Sequence, residues 1–580
     1  MRRMGAEFTR FRQPCATVAH GRCERMRCCP EAFDRGTHTV ERMGTLRETR
    51  QLRPVGRLFA AGGGRRRQAR ESAMSGSPQA HHGTARSPAA ASGLPRPLPR
   101  KAGTVIVGGG LAGVELAAAL AEQGAEDVVL LEAGPGDDLA HIHLAHSQAA
   151  ATEIVFAPER DPYFHRPWQS GSPPHYTGIS GLRRRLGGRS LYWHGVVLPL
   201  EDWALRPPGW PAEIVAELTT GVDGGPSWYD RVTEQLTTWS GGGLWDPAQP
   251  ARTSLGGQEF RALPRACRRL PGTDRWEAYT ALDIWRGPDG GVSPPPGVRV
   301  HCDTEVLAVD VRGGRARGVL VRCGDGTVST VAAGTVVLSA GTVESTRLAA
   351  IALTDAGVLP SPRLGGLADH IVQGFVVRLP ADRLPPPGSY HLPTDPVLRS
   401  YLRVDVHDDG PGTALLDVRV TGEQLPNERS VVECAPSGDP SRRAHVRAEL
   451  LPDDHKMIGG QRDLLRDFWA ATARELGEPA TRLEFTGYGD TDRDNTRVLP
   501  DRTRRQSAGR PETWSSLLGT EDHEGGSLPL GRLLDTRHAF TALPGLYATG
   551  PAVFPRLGAA NPSLTTIALS RRLAGLLPGA

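Results

Sequence analysis

The stretch Thr104 to Glu132, TVIVGGGLAGVELAAALAEQGAEDVVLLE, decides how the chain folds. Thr104–Val107 is a short apolar run, the pattern of a strand buried on both faces. Gly108, Gly110 and Gly113 follow as G-x-G-x-x-G. In that spacing the first glycine permits a tight turn and the second lets a pyrophosphate approach the backbone. The third lets the helix pack close to the sheet. A helix is expected from about Leu111 to Gln123, with Gly124 as its C-cap. A second strand, Val128–Leu131, ends at Glu132, where a carboxylate can accept both hydroxyls of a ribose. Glycine-rich turns are common in a chain with 70 glycines, and an acid at a strand end is commonplace. Strand, glycine turn, helix and terminal acid in succession are the context the motif needs. They point to a bound dinucleotide rather than to an ordinary βαβ turn.

Composition bounds the rest. A chain of 580 residues predicts two to four domains, and its 70 glycines and 49 prolines predict many loops. No apolar run reaches the roughly 18 residues of a membrane span. Residues 1–100 carry 20 arginines, no lysine and 7 acidic residues, whereas the whole chain is only +4. The body is therefore mildly acidic and has no basic stripe for nucleic acid. The leader lacks sustained periodicity and reads as disordered. Arg2-Arg3 is not followed by the apolar core of a secretory signal. Five of the six methionines lie in this leader, and translation is expected to start at a later codon such as Met74. A basic arm for an acidic partner is the functional alternative. Cys15, Cys23, Cys28 and Cys29 lack paired C-x-x-C spacing, and Cys267, Cys302, Cys323 and Cys434 are scattered. A reduced, cytoplasmic protein is the simpler reading. His141, His143 and His146 have no acid or cysteine partners in sequence, so they read as solvated loop histidines and no metal is expected.

In the body, Leu182–Pro199 (LRRRLGGRSLYWHGVVLP) offers backbone amides at Gly187, Gly188 and Ser190, and rings at Tyr192, Trp193 and His194 that could line a planar group. A helical stretch covers Tyr229–Thr237. Val298–Val309, Gly318–Val321 and Thr327–Val331 alternate as strands. Thr335–Ala340 is a buried strand, followed by a helix from about Val343 that returns the chain to the first sheet. Gly374–Leu379, Tyr401–Val406, Ala414–Val420 and His445–Leu451 predict an antiparallel sheet with one face free for a substrate cavity. Arg462–Leu476 reads as a helix and Arg493–Gly509 as a charged, solvated run.

Six blocks taken in order resemble the glucose–methanol–choline (GMC) family of flavin oxidoreductases. GGGLAGVELAAAL with LLEAGP resembles its N-terminal signature, RRRLGGRSLYW its second block, and TVVLSAGTVESTRL its strand–Gly–helix block. LGGLADH resembles its G-x-x-L-x-D-H segment and DHEGGSLPLG its H-E-x-G-T element. LYATGPAVFPRLGAANPSLTTIALSRRLA resembles its C-terminal signature. The resemblance implies an α/β fold with a Rossmann-like FAD-binding domain, discontinuous in sequence, and a substrate domain with an antiparallel sheet. The implied FAD parts are residues 101–373, with a lid-like insert at about 135–180, and 521–580. Residues 374–520 form the substrate part.

The resemblance also implies site residues. Gly108, Gly110, Gly113 and Glu132 hold the ADP half of FAD, and Val306 contacts adenine through its backbone. Gly187, Gly188, Ser190 and Trp193 lie near pyrophosphate and flavin. Gly550 and Pro551 approach the pyrophosphate, and Asn561, Pro562 and Leu564 the pyrimidine edge of the flavin. Pro562 stands near a helix N-terminus, whose amides and dipole stabilise negative charge there. His523 is the implied base for an alcohol proton and Asn561 the second catalytic position. The family's flavin-bonding histidine corresponds to Tyr192, so FAD is expected to bind non-covalently. Ser527 and Leu528–Leu530 depart from the family's usual residues, so a pocket of different shape is expected. The implied activity is oxidation of a CH–OH group of a small-molecule alcohol, with hydride passing to the flavin N5 and oxygen or another acceptor reoxidising it. A non-redox lyase that keeps FAD structurally is the alternative.

Overall fold

The computed structural model describes residues 97–578 except 148–149, 152–153, 156, 171–179, 222–223, 247, 274, 394–395, 436–437, 486–507 and 517. The leader up to residue 96 and most of the charged run at 493–509 lie outside the described residues.

The first sheet is built on the stretch quoted above. Its strands run in the order Val298–His301, Val128–Leu131, Lys101–Val107 and Val328–Leu338, with Leu546–Ala548 beside the last. All four pairings are parallel. Parallel strands are covered on both faces, and Val128–Leu131 is buried at every position. The helix Leu111–Glu122 follows the glycine turn, and the chain leaves it through Gly124 at φ 85°. The helix Ser563–Ala574 lies against it. There Arg571 Nε is 2.9 Å from Glu115 Oε2, and the Tyr279 hydroxyl also donates to Glu115. The two ends of the described chain thus close on one sheet.

Val328–Leu338 corrects the expectation of two separate strands. It is one strand whose first half pairs antiparallel with Arg315–Cys323 and whose second half pairs parallel with Leu546–Ala548. Burial alternates from Thr330 to Gly334 and is continuous from Thr335 to Leu338. That change of pattern made one strand read as two.

The second sheet is antiparallel, in the order Glu512–Ser515, His370–Pro380, Thr413–Glu423, Ser400–Asp408, Gly388–Pro393, Gln258–Ala262 and Arg252–Leu255. Phe375, Leu402, Val404, Leu416 and Val418 turn one face onto Leu465, Phe468 and Trp469 of the helix Pro452–Leu476. Each such side chain contributes about 1.5–3 kcal/mol on burial. The opposite face carries Arg403 across from Arg419 and Asp405 across from Asp417. Three differences from expectation stand out. The hairpin Arg252–Ala262 joins this sheet from far upstream. The expected strand His445–Leu451 is instead Ala444–Arg447, in a separate sheet with Val431–Cys434 and Trp168–Gln169. The long helix begins ten residues before the expected Arg462. Pro452 takes its first turn and Asp454 accepts from Leu451 N at 2.9 Å. Gly459 and Gly460 within it masked that start.

Candidate active site

A cavity of about 1760 Å³ lies between the two sheets. Pockets for one small ligand span roughly 300–1,000 Å³, so a cofactor and a substrate fit together. The glycine turn and strand end bring Gly108, Gly110 and Glu132 to its wall, and the second block brings Gly188, Ser190 and Trp193. Tyr192 and His194 also line it, as does Val306. From the C-terminal segments come His523, Gly550, Pro551, Asn561 and Pro562.

Three of the residues expected at the site lie behind the wall. A Cβ on Gly113 would sit 2.0 Å from the Gly108 carbonyl oxygen, so this glycine lets helix and strand touch. Gly187, at φ 90°, donates its N–H to Gly109 O at 2.8 Å and joins the two glycine loops. Leu564 is buried in the core under the first turn of its helix.

The walls suit an anionic dinucleotide. A Cβ on Gly110 would meet no atom within 4 Å, which leaves the backbone open to a ligand. Neither helix Leu111–Glu122 nor helix Ser563–Ala574 has an acid in its first turn, so both positive helix ends remain available to negative groups. The Glu132 carboxylate accepts from Gly109 N at 2.9 Å and Gly134 N at 2.8 Å. Burial pushes its pKa up to about 7 against the pull of those amides.

At the other end of the cavity, hydrogen bonds define a chain with one polarity. His370 Nε2 lies 3.1 Å from Gly558 O. A carbonyl only accepts, so the His370 proton is on Nε2 and its Nδ1 is a bare acceptor. His370 Nδ1 is 3.0 Å from His523 Nδ1, so His523 donates there. His523 Nε2 is therefore a lone pair, and it meets the Asn561 amide nitrogen at 3.1 Å. The Tyr401 hydroxyl donates to Asn561 Oδ1 at 3.1 Å and sets that amide's orientation. Burial pushes His370 down to about 4, and enclosure, the His370 ring and the Arg189 cation hold His523 well below the usual histidine range. Both imidazoles are neutral at pH 7.

Arg189 holds the loop that carries His523. It donates to Asp522 O at 3.2 Å and pairs with Glu524 at 2.7 Å, on either side of the histidine. His141 and His143 correct a further expectation. Both are buried rather than solvated: His141 donates to Trp193 O at 3.0 Å, and His143 stacks on Trp276 with centroids 4.1 Å apart. Sequence reasoning assigned no role to His370, Tyr401 or Arg189. His370 did stand in the quoted LGGLADH block, the one signal that could have found it.

The fold is thus a Rossmann-like nucleotide-binding domain joined to an antiparallel substrate sheet, with the cavity between them. The family description "Pyridine nucleotide-disulphide oxidoreductase" matches residues 30–137, which include the glycine turn. No curated protein matches the chain. Among solved structures, pyridoxine 4-oxidase from Mesorbium loti is similar at 17% identity and TM-score 0.50, covering 82% of this chain and 99% of that one. A formate oxidase is similar at 14% identity and TM-score 0.52, covering 82% and 98%. The likeness is one of fold, and it agrees with the GMC resemblance read from the six blocks.

Proposed function

We propose that this chain is an FAD-dependent oxidoreductase of the GMC type that oxidises a CH–OH group of a small molecule to a carbonyl. One observation carries the reading: His523 and Asn561, 3.1 Å apart, line the same cavity that the dinucleotide turn lines at its other end. The resemblance of the fold to two oxidases supports it.

Gly108, Gly110 and Glu132 would hold the ADP half, with Gly188, Ser190 and Gly550 toward the pyrophosphate. Pro562 and the amides beyond it would face the pyrimidine edge. Bound FAD supplies the hydride acceptor. His523 Nε2 takes the hydroxyl proton, and Asn561 holds the alcohol oxygen beside it through its NH₂ group. The N-terminal end of helix Ser563–Ala574, which has no acid in its first turn, would stabilise negative charge on a bound flavin. Residues 101–373 and 521–580 make the cofactor part and 374–520 the substrate part, with the hairpin Arg252–Ala262 reaching into the latter. The four described cysteines are free, which supports a reduced, cytoplasmic setting. No described helix is long and apolar enough to cross a membrane.

Tyr192 stands where covalent members carry histidine. Its hydroxyl accepts from Arg185 at 3.1 Å, and burial raises its pKa, so it stays a neutral phenol. Acid precipitation of the purified protein should therefore release yellow FAD into the supernatant. A substrate screen under nitrogen should bleach that flavin, and admitting air then distinguishes oxygen from another acceptor. A preparation that is colourless and cannot be reconstituted with FAD removes the proposal.

A further inference from the structure

His370 lies one layer behind the cavity wall, is 1% exposed, and touches no substrate space. Its two ring nitrogens have different obligations. Nε2–H is committed to Gly558 O, whose own peptide N–H donates to Glu423 at 3.0 Å. Arg556 neutralises Glu423. Nδ1 is left as a lone pair aimed at His523 Nδ1. The ring is fixed on the first residue of a substrate-sheet strand, where its backbone N–H donates to its neighbour Asp369.

We propose that His370 is a positioning residue and proton store for His523. Resting on the proposed function, it fixes the tautomer that leaves the His523 Nε2 lone pair beside Asn561, where an alcohol hydroxyl would replace the amide as its donor, and it shares the proton that His523 takes. As the alcohol O–H bond breaks, an N–H bond forms at His523 Nε2. The electron pair of the adjacent C–H bond would leave with its hydrogen as hydride, for which bound FAD would supply the acceptor, as the C=O bond forms. His523 is then an imidazolium whose Nδ1–H points at a basic nitrogen rather than at a carbonyl or water. That N–H⁺···N bond is charge-assisted, and the proton between the two Nδ1 atoms can rest on either ring. A cation on His370 keeps its Nε2–H on the Gly558 carbonyl.

The surroundings fit a small, temporary charge rather than a permanent one. Arg189 faces His523 from the second block and disfavours a standing imidazolium. Glu524 and Asp522 pair with that arginine, and Asp369 accepts from Gly519 N and His370 N. Tyr401 closes the chain at the Asn561 end, and Glu521 is held by Ser516. The His370 Nδ1 lone pair gives a protonated His523 a hydrogen-bond acceptor without a fixed negative charge beside it.

Two variants separate the roles. His370→Asn places an amide oxygen where Nδ1 was, so it still accepts from His523 but takes no proton. His370→Phe removes the acceptor altogether. In the holoenzyme, His370→Asn should lower the rate of anaerobic flavin reduction by about tenfold and His370→Phe by about a hundredfold, the range for losing acid–base function. KM should move less than threefold in both. The acid limb of kcat/KM should move in both variants, because His370 is one of the groups that set how readily His523 takes a proton. Equal rates and an unmoved acid limb in both variants would overturn the proposal. A second measurement is independent of variant folding: histidine-selective ¹⁵N NMR of the wild-type holoenzyme, with His523→Ala for assignment. It should find His523 protonated at Nδ1 and bare at Nε2, and the opposite tautomer refutes the arrangement. If no alcohol bleaches the flavin, the proposed function fails, while the tautomer measurement still decides the pairing.

Discussion

Two glycines three residues apart in one motif should fail in different ways when given a methyl group. At Gly113 the added Cβ would lie 2.0 Å from the Gly108 carbonyl oxygen and 2.8 Å from Ser339 Oγ. Real Cβ atoms do not approach other heavy atoms within 3.0 Å, so helix and strand must part by about an ångström, and the atom in the way is backbone. Overpacking on that scale costs about 1–3 kcal/mol, and here it falls at the upper end because no side chain can yield. Alanine in a helix interior regains up to about 1 kcal/mol over glycine. Gly113→Ala should thus lose about 2 kcal/mol of stability, with or without cofactor. At Gly110 the backbone is extended, φ −81° and ψ −167°, and the methyl meets nothing within 4 Å. Alanine is the poorer N-cap, but it also restricts the unfolded chain, and these effects nearly cancel to within about 1 kcal/mol. The same methyl would stand where a pyrophosphate approaches the turn. Gly110→Ala should leave the apoprotein's urea midpoint nearly unchanged yet weaken FAD binding at least tenfold, about 1.4 kcal/mol. Fluorescence titration of the apoprotein with FAD measures the second effect. An unchanged FAD affinity in Gly110→Ala, or a wild-type midpoint in Gly113→Ala, would show that the turn does not work as described.

Further outcomes follow from the same geometry. His523→Ala should keep FAD and turn over at least about a hundredfold slower, measured by stopped-flow flavin reduction; near-normal turnover removes His523 from the chemistry. Glu115→Ala removes the acceptor of the Arg571 Nε–H and of the buried Tyr279 hydroxyl, leaves Arg571 paired with Glu122 alone, and should cost about 1–3 kcal/mol in urea. The double variant with Arg571→Met should recover much of that loss, and strict additivity would mean that the pair is not coupled. His538 is fully buried, donates to Ala548 O at 3.0 Å, and burial pushes its pKa down to about 3. Between its ordinary value near 6.5 and about 3 the unfolded chain binds a proton that the folded chain refuses, so its stabilising effect is whole above 6.5 and is lost as pH falls. Asparagine tolerates the positive φ of 66° at this position. His538→Asn should therefore lose less thermal stability than wild type between pH 7 and 4.5, with parallel curves above pH 7.

The first sheet and the C-terminal helix were legible because each signal is local. A βαβ unit announces itself through an apolar run, a glycine turn and a terminal acid within 29 residues of Thr104 to Glu132. Alternation along Ala414–Val420 and Tyr401–Val406 likewise marked a sheet with one covered face. What escaped was set by neighbours distant in sequence. Val328–Leu338 changes its burial pattern because its partner changes along one edge, and no window on the strand itself records the partner. Glu115 looks misplaced in an apolar helix until Arg571 arrives from the other end of the chain. His370 is one of 18 histidines in sequence, and its chemistry appears only when a ring 153 residues away meets it.

The candidate base is therefore not a property of either domain alone. His523 and Asn561 come from the C-terminal segments, but the atoms that orient them come from the substrate sheet: His370 opens one of its strands and Tyr401 lies on the next but one. A bare Nε2 on His523 requires both, because His370 fixes its ring proton and Tyr401 fixes the amide of Asn561. The same strand that supplies Tyr401 carries Arg403 and Asp405 on the cavity-facing side, two and four residues further on. Substitutions made there to change substrate preference would shift the strand that orients Asn561, so specificity and base orientation are mechanically linked. A variant of Arg403 should then alter the flavin-reduction rate at saturating substrate as well as KM. A change in KM alone would place the Tyr401–Asn561 bond beyond the reach of that strand.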